Sequence, residues 1–402
     1  MILIGGFYVW TLLLSVSDGN VLMCTVSGRS LKLWSCSRPF NSRLVRARRV
    51  ITMDESSNLP TYSGKATVYI DQNVLTMAVK NCDPVFFRLL AEEYQVIYSD
   101  DTLREIKRSG QPDKFLAALL DLSAMHFQYQ FNEAFEATGN MIIGDLSPAQ
   151  AFANYLLIEP IYDTMFTATH QTTLKIYGGK KDAAFTDIAA EQTKAFEDLI
   201  GFLSSQLHQI DSSRRDLRAP IEQYLETLQA QYEAVVAVSS AEMTKHIDDA
   251  KGESGVQNYR ASVGLGPVQL NNVEPPRVIE KIWDIYQNLD GYREKGFVIE
   301  NFLGISVSPI YNREMHQHEK VTAIYNLLNF IGYKSDSRLH REHRHLASIS
   351  DAAHASIAAH AHVLLSGDHA FVNKVRAIYE FLNVQTEVGL VIEDGQKISV
   401  RY

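Results

Sequence analysis

The chain has 402 residues, is 46% hydrophobic and 21% charged, and carries a formal net charge of −9. These values describe a soluble globular protein of two or three domains with ample core. They argue against a general nucleic-acid-coating role, because phosphate affinity comes from clustered Lys and Arg. Cys24, Cys36 and Cys82 have no CxxC spacing, so neither a zinc site nor a disulfide framework is expected, and a reducing, cytoplasmic setting is.

Residues 1–52 differ in composition from the rest. Ile2 to Leu14 is apolar but lacks a basic leader and is too short to span a bilayer. Seven basic residues (Arg29, Lys32, Arg38, Arg43, Arg46, Arg48, Arg49) then stand against one acid, Asp18. The expectation is an extension that is disordered or not native, followed by a protein starting at Met53.

Beyond a polar lead-in, Ala66 to Leu75 is β-branched and carries Asp71, as a strand ending on an acid would. Asp83-Pro84 opens a helix, with an acid cap and proline in the first turn. Tyr94 to Tyr98 is a second strand, running into a helix that Asp100 or Asp101 caps and that carries Glu105. Arg104, Lys107 and Arg108 lie on or beside its acid-bearing surface. From about Gln111 to Ser335 helical spacing dominates, including Asp113 to Phe135 and Ser147-Pro148 onward. Residues 183–210 and the return from Pro220 form a long αα-hairpin. Lys251 to Pro276, rich in Gly, Asn and Pro, is expected to be a linker or exposed loop.

Near the carboxyl end Asp351 occupies an N-cap position before the helix former Ala352–His362. Val363-Leu364-Leu365 is a short buried strand, and Ser366-Gly367-Asp368 leaves its carboxyl end, where open α/β sheets place their chemistry. A helix (Phe371–Leu382), a strand (Val384–Val391) and a hairpin turn at Glu393–Gln396 close the chain.

This order of strand, acid, strand, Glu-bearing helix, Asp, helix, strand and Ser-x-Asp resembles the PIN-domain nucleases over residues 65–109 and 346–391. The resemblance implies an α/β fold: a PIN-like parallel sheet flanked by helices and split by a large, mainly α-helical insertion. The expected divisions are 53–110 and 336–402 for the two parts of the PIN-like domain and 111–335 for the insertion. It also implies that Asp71, Glu105, Asp351 and Asp368 gather as catalytic and metal-binding carboxylates, with Asn73 and Ser366 as supporting polar groups. The cofactor is then Mg²⁺ or Mn²⁺ and the substrate RNA. Asp71 and Asp368 would be the most direct ligands. The family includes toxins, defence effectors and RNA-processing factors, and the large accessory region favours a toxin or defence-like role, with a protein partner or self-association through the insertion.

Phosphodiester cleavage needs an activated water and a sink for charge on the leaving oxygen, which hard dications held by carboxylates supply. Without a cation such a cluster is costly, because like charges repel. His354, one turn from Asp351, together with Arg341 and Arg344 in the basic run Arg338–His345, is a candidate phosphate-binding group. His360 and His362 are expected to have no ligand role. Lys180-Lys181 and Arg214-Arg215 are weaker basic candidates. Phosphate-binding, dinucleotide and nucleophile-elbow glycine motifs are absent from the sequence, as is H-E-x-x-H. Two other readings compete: an inactive PIN-like scaffold that binds RNA or partners, and a haloacid-dehalogenase-like phosphohydrolase. The latter needs an acid two residues after Asp71, where this chain has Asn73.

Overall fold

The computed structural model describes residues 16–17, 20–21, 62, 64–131, 137–207, 215–246, 254–306 and 313–402. Apart from one isolated two-residue pairing, β1 (Val16–Ser17) with β2 (Asn20–Val21), the rest of the expected extension 1–52 lies outside the described residues.

The main body is built on a seven-stranded mixed sheet. Its strands are β3 (Thr67–Ile70), β4 (Gln95–Tyr98), β5 (Met125–Phe131), β6 (Ala137–Gly144), β7 (Val363–Ser366), β8 (Glu387–Asp394) and β9 (Lys397–Arg401). In space the order is β6-β5-β4-β3-β7-β8-β9. The inner pairs β5–β4, β4–β3, β3–β7 and β7–β8 are parallel, and β6 and β9 add to the two ends antiparallel. Central β3 therefore pairs with β4 on one side (Tyr69 opposite Ile97) and with β7 on the other (Tyr69 opposite Leu364).

Strand side chains alternate between faces, and here both faces are covered. Tyr69, Ile97 and Leu364 point into one core, while Val68, Ile70, Val96, Tyr98, Val363 and Leu365 point into the other. The second core is roofed by α1 (Gln72–Val79), α2 (Pro84–Glu93), α3 (Asp100–Arg108) and α4 (Pro112–Asp121). Burial on both sides explains why these strands read as continuous apolar runs.

The long helices α5 (Pro148–Ile176), α6 (Phe185–Leu207) and α7 (Arg215–His246) follow, with α6 and α7 packed as the expected hairpin. Next come α8 (Gly255–Val263), α9 (Pro267–Leu270), α10 (Val278–Tyr286), α11 (Asp290–Arg293), α12 (Ile299–Leu303) and α13 (Gln317–Ile331). The chain returns to the sheet through α14 (Glu342–Ala358) and α15 (His369–Leu382). Among the described residues no helix is long and apolar enough to cross a membrane.

The middle of the chain differs from expectation in three respects. The helix expected over 113–135 stops at Asp121, and Met125–Phe131 is a strand. Ser123 turns the chain at φ 48°, and beyond it aromatic residues alternate at period 2, which outweighs the helical spacing that precedes them. The expected linker is ordered into helix from residue 254 on, where the segment holds α8 and α9 with Ser254 as a helix cap. Nor do 111–335 stand apart as a helical unit, since β5 and β6 belong to the sheet and Ile282, Tyr286, Val321 and Tyr325 share one core with Leu364 and Phe371.

Boundaries near the acids also shift. β3 ends at Ile70, because Asp71 caps α1, its carboxylate accepting from the Gln72 N–H at 2.6 Å. α3 is capped by Ser99 and Thr102, with Asp100 and Asp101 in its first turn. α14 begins at Glu342, so Asp351 lies in mid-helix and caps nothing. The strand expected from Val384 begins at Glu387 as β8, and the expected hairpin to β9 is there, Asp394 pairing with Lys397 across Gly395-Gln396.

Candidate metal centre

Three elements converge at the carboxyl end of the central strands. Asp71 sits directly after β3, and its backbone N–H extends the ladder by donating to the Leu365 carbonyl at 3.0 Å. Its carboxylate is buried and accepts from the Ser366 hydroxyl at 2.7 Å and from the Asn73 side-chain amide. Asn73 Oδ1 in turn accepts from the Gly367 N–H at 2.7 Å, and Ser366 Oγ accepts from the Asp368 N–H at 3.1 Å. A Cβ at Gly367 would stand 3.2 Å from Asn73 Oδ1, so the close approach of this loop favours glycine. Asn73 and Ser366 thus both bond the same oxygen of the Asp71 carboxylate.

Glu105, one turn into α3, faces the same point. Its Oε1 accepts from the Ser350 hydroxyl at 2.8 Å, with the Arg108 guanidinium at 3.5 Å. His354, four residues after Ser350 on α14, places Nε2 3.2 Å from Glu105 Oε2. That contact is an ion pair when the imidazole is protonated, and Glu105 Oε2 has no other partner among the described residues. The other imidazole nitrogen, Nδ1, lies 2.6 Å from the Tyr69 hydroxyl, which also meets Ser99 Oγ at 2.8 Å. One ligand atom from each of Asp71, Glu105 and His354 falls within 4.8 Å of the other two.

The electrostatics follow from this crowding. Burial raises the Asp71 carboxyl, the His354 imidazole opposes it, and the Glu105 charge adds to it; the net shift is upward. Burial also works to raise Glu105, but His354 and the Ser350 hydroxyl outweigh it and hold this carboxyl below its ordinary value. For His354 burial works against the charged form, yet Tyr69, Glu105 and Asp71 together push the imidazole well above its usual pKa. In the protein by itself His354 is thus the internal counter-charge of the two acids. The residues fit a divalent cation: two carboxylates and an imidazole converge, and Glu105 Oε2 faces no donor but His354.

The remaining predicted residues fall around this group rather than in it. Asp351 is partly buried in mid-α14 and is raised by burial first, then by the charges of Asp336 and Asp71, with Lys374 opposing. Asp368 is exposed and caps α15, accepting from the N–H groups of Ala370 (2.7 Å) and Phe371 (3.0 Å). His354 is no surface phosphate contact, since it is 1% exposed and held by Tyr69. Arg341 and Arg344 are exposed at the start of α14, about 15 and 10 Å along the helix from Asp351. Lys180 pairs with Glu191 at 2.6 Å, and Arg214 lies outside the described residues.

Four residues that matter here carry no motif: Tyr69, Ser350, Asp336 and Lys374. Ser350 and His354 are four apart and share a helix face, a pattern visible once α14 is started at Glu342. Lys374 is fully buried, with Nζ 2.5 Å from Asp336 Oδ1, 2.9 Å from Asn329 Oδ1 and 4.1 Å above the Tyr325 ring. Asp336 Oδ2 accepts from Ser348 (2.6 Å) and Asn329 (2.8 Å). Nothing in the sequence distinguishes that lysine from a solvated one.

Against models of known families, curated proteins and solved structures, the chain has no match.

Proposed function

We propose that the chain is a metal-dependent nuclease of PIN-like type that cuts RNA at the edge formed by Asp71, Glu105 and His354. The observation that carries this reading is the convergence of those three side chains from β3, α3 and α14 at the carboxyl end of a parallel sheet. A cation bound there would supply an activated water and absorb charge on the leaving oxygen. The chain's own residues do the rest. Asn73 and Ser366 hold Asp71 in one orientation, Ser350 fixes Glu105, and Tyr69 fixes His354. Arg108, 3.5 Å from both Glu105 and Ser350, is the nearest partly exposed cation for a phosphate. Asp351 and Asp336 add negative charge behind the edge, balanced by Lys374. A toxin or defence role belongs to the same proposal, with the long helices α5–α7 as the part available to a regulator.

A second reading rests on His354 Nε2 lying 3.2 Å from Glu105 Oε2, an ion pair when the imidazole is protonated. A charged imidazole already neutralises the acids, as in a PIN-like scaffold that binds RNA or a partner without cutting it. The test is cleavage of labelled single-stranded RNA by the full chain with Mn²⁺ or Mg²⁺. Cleavage that chelation and Asp71→Asn both abolish supports the nuclease. RNA binding that survives Asp71→Asn, with no cleavage by the unmodified chain, establishes the scaffold instead.

A further inference from the structure

We infer that the Asp71–Glu105–His354 centre is a mixed nitrogen and oxygen site that selects Mn²⁺ or Co²⁺ over Mg²⁺, and that Tyr69 is the positioning residue that delivers the imidazole. This rests on the edge being a metal centre but not on what is cleaved there. Each Asp71 oxygen already accepts from protein donors, Glu105 Oε1 accepts from Ser350, and Glu105 Oε2 faces only His354 Nε2, 3.2 Å away. His354 Nε2 also lies 3.5 Å from Ser350 Oγ, whose proton goes to Glu105 Oε1. A cation seated between Glu105 Oε2 and His354 Nε2 would therefore displace only the Nε2 proton and would be held by both atoms.

Tyr69 decides which imidazole nitrogen faces that space. Nδ1 lies 2.6 Å from the Tyr69 hydroxyl, and that hydroxyl lies 2.8 Å from Ser99 Oγ. With Nδ1–H donating to Tyr69 and Tyr69 donating on to Ser99, displacement of the Nε2 proton by an incoming cation leaves that lone pair toward Glu105. A ligating histidine generally anchors its other N–H in this way. Tyr69 and His354 are 0% and 1% exposed, so neither can turn away into solvent. Mg²⁺ prefers oxygen ligands in a near-ideal octahedron, whereas imidazole suits the transition metals. A site made of four carboxylates would lack this bias.

The experiment is titration of the metal-stripped full chain with Mn²⁺, Co²⁺ and Mg²⁺ by calorimetry, with pulsed electron paramagnetic resonance of the Mn²⁺-loaded protein. The expected result is Mn²⁺ and Co²⁺ binding tighter than Mg²⁺ by about tenfold or more, with modulation from a directly bonded nitrogen. His354→Gln should remove that modulation. Tyr69→Phe should weaken Mn²⁺ by about 10–100-fold, the cost of losing a ligand-orienting partner, and narrow the preference over Mg²⁺. Equal affinities for Mn²⁺ and Mg²⁺, absence of nitrogen modulation in the unmodified chain, or no metal binding at all would overturn the inference. The unmodified protein alone decides this if the variants fail to fold. Mn²⁺-dependent cleavage without a nitrogen signal would sink the inference and keep the nuclease. A nitrogen signal without cleavage would do the reverse.

Discussion

The Ser366 hydroxyl donates to the Asp71 carboxylate at 2.7 Å across 295 residues of sequence, and both groups are buried. Ser366→Ala removes one of three donors to that carboxylate. The expected loss of stability is about 1–3 kcal/mol, the range for withdrawing a partner from a buried acceptor. Asn73→Ala acts on the same oxygen, so the two substitutions should be non-additive. A double-mutant cycle from urea unfolding of the two single variants and their combination measures this.

Asp368 and Asp71 are both acids after strands, but only Asp71 belongs to the convergent group. Asp368→Ala is expected to cost about 1 kcal/mol as a lost helix cap and to leave Mn²⁺ affinity unchanged. Asp71→Asn should abolish metal binding. Calorimetry of the two variants side by side is the measurement; a loss of Mn²⁺ binding in Asp368→Ala would restore the four-carboxylate arrangement expected from sequence.

Lys374 and Asp336 are expected to fail singly and tolerate joint replacement. Lys374→Met leaves Asp336 with no cation in a buried network and should cost about 3–5 kcal/mol. The Lys374→Met, Asp336→Asn double variant should recover part of that loss, as chemical denaturation would show. Recovery is expected to be incomplete, because Asn329 and Ser348 also bond to this pair.

Two buried histidines set an acid limit on stability. Burial, then His360, His316 and Arg313, lowers the His318 imidazole to about 3, and neither of its nitrogens has a hydrogen-bond partner among the described residues. Burial and His170 lower His345, bonded to Thr173 at 2.7 Å, also to about 3. In the unfolded chain each takes up a proton near pH 6.5. Their contribution is therefore complete above that pH and declines as pH falls from about 6.5 toward 3, with a limiting slope of ~1.4 kcal/mol per unit for each. Unfolding free energies between pH 7.5 and 5 should show this decline, and His318→Phe should flatten it. The same slope in both proteins would exclude His318 as its source.

Much of the site was legible because strand ends and helix starts are locally encoded. Asp71 after a β-branched run, Glu105 in the helix after the second strand and Ser366 after Val-Leu-Leu all fall where their neighbours place them. Asp351 was misread as a cap because an acid before an alanine run looks like a helix start, while the helix already runs from Glu342. His354 reads in sequence as a candidate phosphate-binding group, because helical spacing alone does not say that its face meets buried Tyr69. β5 was missed because helical spacing in Phe115 and Leu119 was carried past Ser123 into a period-2 run. The Lys374–Asp336 pair depends on tertiary proximity and has no local signature.

Central β3 is flanked by β4, which follows it closely, and by β7, which the ribosome reaches only after nearly three hundred further residues. A nascent chain that has emerged through α13 holds Asp71 and Glu105 but has neither His354 nor the strand that seats Ser366 against Asp71. Closure across so long a loop comes late and is slow. A chain interrupted before α14 thus cannot assemble this centre, however well β3 and β4 pair.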